Sequence, residues 1–165
     1  MAKYSLLVDV DKCIGCHSCE VACKQVNNLP AGPKPINVIT VGPVKVDGKL
    51  RMHFAPIHCY HCGKPACVAT CPVGAIFKRD DGIVLINEES CTGCKACIEA
   101  CPFGAIQFND ETNIALKCGL CIDRLDKNQQ PMCVKHCPAK AIQVGDINKL
   151  TELKQREKAG RTINS

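Results

Sequence analysis

Sixteen cysteines fall into four quartets, and in each quartet the last two are separated by three residues. The quartets are Cys13, Cys16, Cys19, Cys23; Cys59, Cys62, Cys67, Cys71; Cys91, Cys94, Cys97, Cys101; and Cys118, Cys121, Cys133, Cys137, with none left over. The third, Cys91-Thr-Gly-Cys94-Lys-Ala-Cys97-Ile-Glu-Ala-Cys101-Pro102, has the C-x2-C-x2-C-x3-C-P spacing by which thiolates hold cubane iron–sulfur clusters. At four thiolates per cube, the set supplies four [4Fe–4S] clusters, which exchange electrons one at a time. Zinc also takes CxxC pairs, but tight runs of three cysteines and repeated Cys-Pro steps are foreign to its sites. A disulfide scaffold needs an oxidising compartment, which nothing in the sequence indicates.

The elements that must position these thiols repeat along the chain. Cys71-Pro-Val-Gly-Ala-Ile76, Cys101-Pro-Phe-Gly-Ala-Ile106 and Cys137-Pro-Ala-Lys-Ala-Ile142 are variants of one hexapeptide. Asp11-Lys-Cys-Ile-Gly-Cys16 and Ser90-Cys-Thr-Gly-Cys94 are a second repeated unit, in which glycine lets backbone N–H groups approach a cluster. Three residues before the fourth cysteine suit one helical turn, which aims that thiol away from the first three. Leu6–Val10 and Ala141–Val144 read as strands able to pair and close the chain ends together. Phe77–Ile86, with Asp81-Gly82, and Ile106–Leu116 read as hairpins. Residues 29–55 carry no cysteine; Val38–Val46 and Leu50–Phe54 flank an Asp47-Gly48 turn in a hairpin insertion read as a docking surface. The polar tail, residues 148–165, places Leu150 and Leu153 on one helical face and is either a solvated end or an arm that wraps a partner.

In two-cluster ferredoxins the fourth cysteine of each motif crosses to the other cluster. Motifs two and three are neighbours in the chain, and the terminal strands would join motifs one and four. The expected ligand sets are therefore Cys13, Cys16, Cys19, Cys137; Cys59, Cys62, Cys67, Cys101; Cys91, Cys94, Cys97, Cys71; and Cys118, Cys121, Cys133, Cys23. The expected fold is α+β: two bacterial-ferredoxin-like βαβ halves related by a pseudo-two-fold axis, with the hairpin insertion and C-terminal tail. One half comprises residues 1–28 with 110–147, the other residues 56–109. His17, His58, His61 and His136 lie beside ligands, but every quartet is complete without them, so they read as supporting or surface groups. Lys12, Lys24, Lys64, Lys95, Lys117 and Lys135 also flank ligands, where positive charge favours a reduced cluster, or where they are solvated surface.

Composition sharpens this picture. With four Phe, two Tyr and no Trp in 165 residues, large apolar side chains are too few for a thick core. Clusters would fill that space, and the apo chain is expected to be largely unfolded. The formal charge of +5 omits about −2 per oxidised cluster, which brings the loaded chain to about −3. The lysines thus read as neutralisation of cluster charge, not as a nucleic-acid footprint. Met1–Ser5 has no signal-peptide character, and no apolar run reaches the length of a membrane span, so a cytoplasmic chain without direct membrane insertion is expected, unless it is exported on a partner's signal. No catalytic side-chain set offers itself, and no quartet lacks the cysteine that substrate chemistry would leave out.

From Cys13 to Ile142 the chain resembles the four-cluster iron–sulfur subunits of the dimethyl sulfoxide reductase superfamily. The resemblance rests on quartet order, the C-x2-C-x4-C-x3-C-P second motif, the long gap from Cys121 to Cys133, and the lack of proline after Cys23. Some relatives replace a third-motif cysteine by tryptophan and bind a three-iron cluster; Cys94 stands here, so four cubanes are expected. The resemblance implies two ferredoxin-like halves with clusters in a line. The short chain looks most like small polyferredoxin subunits of soluble complexes such as formate dehydrogenase or tungsten aldehyde oxidoreductase. It implies an electron-transfer subunit, not itself an enzyme, between a molybdenum- or tungsten-pterin catalytic subunit and a flavoprotein, ferredoxin or hydrogenase partner. Two other readings stand beside it: a self-stacking filament acting as a conductive wire, and a free polyferredoxin carrier or maturation accessory.

Overall fold

The computed structural model describes residues 4–163, and its short helices hang between two-stranded antiparallel sheets. The chain ends are tied first. Strand β1 (Ser5–Val8) pairs with β8 (Ile142–Gly145), running from Ser5 opposite Gly145 to Val8 opposite Ile142. The Asp9 amide extends the pairing by donating to the Ala141 carbonyl at 2.8 Å. The alternating apolar residues that suggest these strands bury Leu6 and Ile142 between them and the helices.

The hexapeptide repeat is one local device used three times. Gly74, Gly104 and Lys140, each three residues beyond a cysteine, adopt left-handed backbone at φ 64°, 58° and 51°. Their amides donate to the carbonyls of Cys71, Cys101 and Cys137 at 3.3, 3.2 and 3.2 Å. The turn then delivers Ala75–Ile76, Ala105–Ile106 and Ala141–Ile142 into the core, all of them buried. Each isoleucine so placed contributes about 1.5–3 kcal/mol of burial. Ile76 opens β4 (Ile76–Lys78), which pairs with β5 (Val84–Ile86); β6 (Gln107–Asn109) pairs with β7 (Ile114–Leu116) after Ile106.

The third cysteine of each quartet sits on a short helix and the fourth follows within one turn or so. Helix α1 (Ser18–Val26) carries Cys19 and Cys23; α2 (Ala66–Ala69) carries Cys67, with Cys71 beyond its end; α3 (Ala96–Ala100) carries Cys97, with Cys101 as its C-cap. Helix α4 (Ile122–Leu125) follows Cys121, and α5 (Met132–Lys135) carries Cys133, with Cys137 beyond it. Helices this short are unstable alone, so their geometry depends on what their cysteines hold.

The insertion is longer than the sequence pattern suggests. Strands β2 (Ile36–Val46) and β3 (Lys49–His58) form one hairpin that reaches back to the second motif. Asp47 and Gly48 both take positive φ, 49° and 76°, as a tight two-residue hairpin turn requires. Its root is buried through Ile36 and Val38; beyond Ile39 the ribbon is exposed. Buried Glu20 of α1 fastens the root, accepting from the Val38 amide at 2.6 Å and pairing with Lys34 at 2.8 Å and His17 at 3.2 Å. Burial opposes the Glu20 charge, but Lys34, the Val38 amide and His17 outweigh it and hold the carboxyl below its usual range.

The tail departs from both expectations for it. It forms helix α6 (Ile147–Ile163), packed back on its own chain. Asp146 Oδ1 accepts from the Asn148 amide at 2.9 Å at the start, and Leu150 is buried against Gly145. Lys154 pairs with Asp9, next to β1. Leu153, expected beside Leu150, is exposed. The last two residues of the tail, 164 and 165, lie outside the described residues, as do residues 1–3. No helix among the described residues is long and apolar enough to cross a membrane.

Candidate metal centres

Each quartet begins with a loop that needs a left-handed residue just before its second cysteine. Gly15, His61, Gly93 and Leu120 hold this place, at φ 68°, 47°, 70° and 56°. At Gly93 the requirement is also spatial, because a Cβ would lie 2.5 Å from the Asn113 carbonyl oxygen; at Gly15 it would lie 2.5 Å from the Phe54 ring. His61 and Leu120 adopt the same backbone despite their side chains and are buried there, which is how tertiary packing sustains a conformation the residue type disfavours.

Three concave sites are each lined by four cysteines. Cys13, Cys16, Cys19 and Cys137 line one with Ile14, Val38 and Pro56. Cys59, Cys62, Cys67 and Cys101 line a second with Pro65, Val84 and Phe103. Cys23, Cys118, Cys121 and Cys133 line the third with Leu6, Asn27 and Lys117. Of the remaining four, Cys71, Cys91 and Cys97 meet in the smaller apolar cluster around Ile76 and Val84, and Cys94 and Cys91 lie within electrostatic reach of Cys97. Among the described residues, no three cysteine, histidine or carboxylate side chains converge as ligands of a single ion must. The thiols stand around a space, which suits a cube of iron and sulfide.

The thiols are costly to ionise unaided. Burial pushes Cys19 and Cys118 up to about 11, and burial followed by Cys118 and Cys121 pushes Cys23 up to about 12. Burial raises Cys133, Cys67 and Cys97 as well. Such thiols become thiolates when iron compensates their charge. The backbone contributes donors: the Ala141 amide reaches Cys137 Sγ at 3.2 Å, and the Leu120 amide reaches Cys118 Sγ at 3.4 Å. At Cys71 burial raises the thiol, but the amides of Ile76, Val73, Ala75 and Gly74 together hold it below its usual value. This donor set, all sulfur with amide N–H groups turned to it, fits [4Fe–4S] ligation.

Two of the four histidines beside the ligands are surface groups, His17 and His136; His58 and His61 are buried. Burial, then the Lys117 charge and His58, press His61 down to about 3, so its ring is neutral. Its Nδ1 accepts from the Val84 amide at 3.0 Å, which leaves the ring proton on Nε2. That buried donor has no partner among the described residues, and anionic sulfur beside Cys62 is an acceptor of the kind it lacks. The lysines divide similarly. Lys64, Lys95 and Lys135 are exposed and Lys12 and Lys24 half-buried, whereas Lys117 is buried. Lys78, not singled out in the sequence, bonds the Cys62 and Gly63 carbonyls at 3.0 and 2.7 Å and braces the second motif.

Two family models described as "4Fe-4S dicluster domain" match residues 50–147 and 12–75. A dimethyl sulfoxide reductase iron-sulfur subunit of Halobacterium salinarum is 38% identical over 177 residues, covering 90% of this chain and 68% of that one. The thiosulfate reductase electron transfer subunit PhsB of Salmonella typhi is 38% identical over 148 residues, covering 88% and 77%. The nitrate-inducible formate dehydrogenase iron-sulfur subunit of Escherichia coli is 37% identical over 174 residues, covering 96% and 59%.

Proposed function

The chain belongs to the 4Fe-4S dicluster domain family, and on that premise we propose that it is the electron-transfer subunit of an oxidoreductase complex with a molybdenum- or tungsten-pterin catalytic subunit. Its two dicluster domains carry four [4Fe–4S] clusters, and its sixteen cysteines meet their ligand requirement in full. Such clusters supply reversible one-electron exchange. The chain's own residues hold, insulate and bias them; substrate chemistry belongs to the partner.

The proposed ligand sets are the crossed ones: Cys13, Cys16, Cys19 with Cys137; Cys59, Cys62, Cys67 with Cys101; Cys91, Cys94, Cys97 with Cys71; and Cys118, Cys121, Cys133 with Cys23. One observation carries this reading: three concave sites each gather three cysteines of one motif and the fourth cysteine of another. The β1–β8 pairing supports a half built from residues 1–28 and 110–147 beside one built from residues 56–109, related by a pseudo-two-fold axis. A flavoprotein, ferredoxin or hydrogenase subunit at the far end of the relay completes the proposal, and so many free thiols suit a reducing cytoplasm.

The test is anaerobic affinity purification of the chain from its native cells, with metal analysis and peptide mass spectrometry. Four irons per cluster for four clusters, together with molybdenum or tungsten and a large pterin subunit, are expected. Full iron loading without a stoichiometric partner would overturn the complex and leave a free carrier.

A further inference from the structure

Lys117 is a buried cation without a carboxylate. Among the described residues no Asp or Glu lies in ion-pair reach of it; its ammonium donates to the Val84 carbonyl and, at 3.2 Å, to the Cys118 carbonyl. Two neutral carbonyls solvate a buried charge poorly, and such a charge is retained where an anion stands near. Lys117 lines the concave site of Cys23, Cys118, Cys121 and Cys133 and lies within electrostatic reach of both Cys118 and Cys67. Its acceptor Val84 lines the site of Cys59, Cys62, Cys67 and Cys101, and the Val84 amide bonds His61 beside Cys62. The Val84 peptide thus holds Lys117 on its carbonyl and His61 on its amide, between the two sites. Three other lysines that flank ligands, Lys64, Lys95 and Lys135, are exposed and screened by water.

We propose that Lys117 is a potential-setting residue shared by two of the four centres, raising the reduction potentials of the second-motif and fourth-motif clusters above those they would have without it. The proposal rests on the ligand sets given above. Reduction adds one negative charge to a centre, and a fixed cation between two centres favours that charge on either. An electron in the relay then rests preferentially on this pair, and the first-motif and third-motif centres, with no buried lysine among the described residues, lie lower. Lys117 touches no iron ligand side chain; it acts through the field at the sulfur atoms and through the Val84 peptide.

The experiment is an EPR-monitored redox titration of the loaded protein carrying K117Q, which keeps a hydrogen-bond donor and removes the charge, beside K117R, which keeps the charge. Iron content is measured on each sample. The signals are assigned with C67S and C118S, each of which removes one signal. For K117Q, two midpoints are expected to fall, each by about tenfold in the reduction equilibrium, or about 59 mV for a one-electron couple. The other two should stay in place, and K117R should restore the pair. Four full clusters with unmoved midpoints in K117Q would overturn the role of Lys117 while leaving the ligand sets standing. Should K117Q fail to load, K117R decides: wild-type midpoints uphold the proposal, and displaced midpoints overturn it. Shifts confined to signals that survive in C67S and C118S would overturn the ligand sets themselves.

Discussion

Gly93 and Gly104 provide a matched pair, because both hold left-handed backbone and only one is crowded. At Gly104, φ is 58° and an added Cβ meets nothing within 4 Å. G104A should therefore cost the conformational penalty alone, about 1–2 kcal/mol. At Gly93, φ is 70°, and the same methyl would lie 2.5 Å from the Asn113 carbonyl oxygen and 2.7 Å from its Nδ2. Asn113 cannot yield easily: it is itself left-handed, at φ 56°, in the turn that leads into β7. Overpacking of this kind adds about 1–3 kcal/mol, so G93A should cost about 2–5 kcal/mol in all. The assay is the half-life of cluster absorbance in fixed guanidinium under argon, since loss of iron makes unfolding irreversible and a rate is the proper measure. G104A is expected to shorten the half-life about fivefold, and G93A at least about fivefold further. K140G supplies the opposite sign. Lys140 occupies the position of Gly104 in the last hexapeptide at φ 51°, so glycine relieves strain there, partly offset by a freer unfolded chain, and the half-life should equal or exceed that of wild type. Equal effects of G93A and G104A, or a shorter-lived K140G, would refute the reasoning.

Crossed ligation is tested by C23S, which should abolish the same EPR signal as C118S; abolition of the signal lost in C13S would place Cys23 with its own motif instead. Stripping iron with a chelator should unfold most of the chain, because buried cysteines make up much of the larger core, and far-UV circular dichroism that stays native in the apo protein would contradict this. The Asp9 carboxyl is held below its usual value chiefly by the hydrogen bond from Lys154. A depressed carboxylate contributes stability fully above its unfolded value, about 3.9, and loses it as pH falls through the lower folded value. The docking of α6 should accordingly be independent of pH from 8 down to about 5; rate-corrected hydrogen exchange of residues 147–154 that rose between pH 7 and 5 would reject that assignment.

What the sequence makes legible is what local backbone decides. The Cys-Pro-x-Gly-Ala-Ile pattern specifies a turn, a left-handed residue and two core residues, and all three copies build that device even where Lys140 replaces glycine. The terminal strands are legible for a related reason: short apolar runs at the two chain ends have few other partners, and β1 pairs with β8. The long insertion hairpin shows itself through Asp47-Gly48, but its second strand runs past Phe54 to His58. Ala55-Pro56 breaks the strand pattern, and a proline within it argues against pairing. Helix α6 is ambiguous in the sequence because its composition is that of a solvated helix. What docks it, Leu150 on Gly145 and Lys154 on Asp9, depends on contacts that no local pattern announces.

Lys117 and His61 mark the boundary of that legibility for a physical reason. A lysine or histidine beside a ligand is exposed by default, since burial of its polar atoms is unfavourable without partners. Six lysines and four histidines of this chain flank cysteines, and nothing in their neighbours separates the buried ones. The separation arises from Val84, thirty-three residues before Lys117 and twenty-three after His61, whose peptide supplies an acceptor to one and a donor to the other. Strand β5 can bring that peptide to the space between two cysteine-lined sites only because the Ala75–Ile76 and Ile83–Val84 steps anchor its hairpin in the core. The repeated motif therefore determines where four clusters can be held, while a single non-repeated contact distinguishes one pair of sites from the other. In a chain whose quartets are so alike, asymmetry of this kind is what can give the relay a direction.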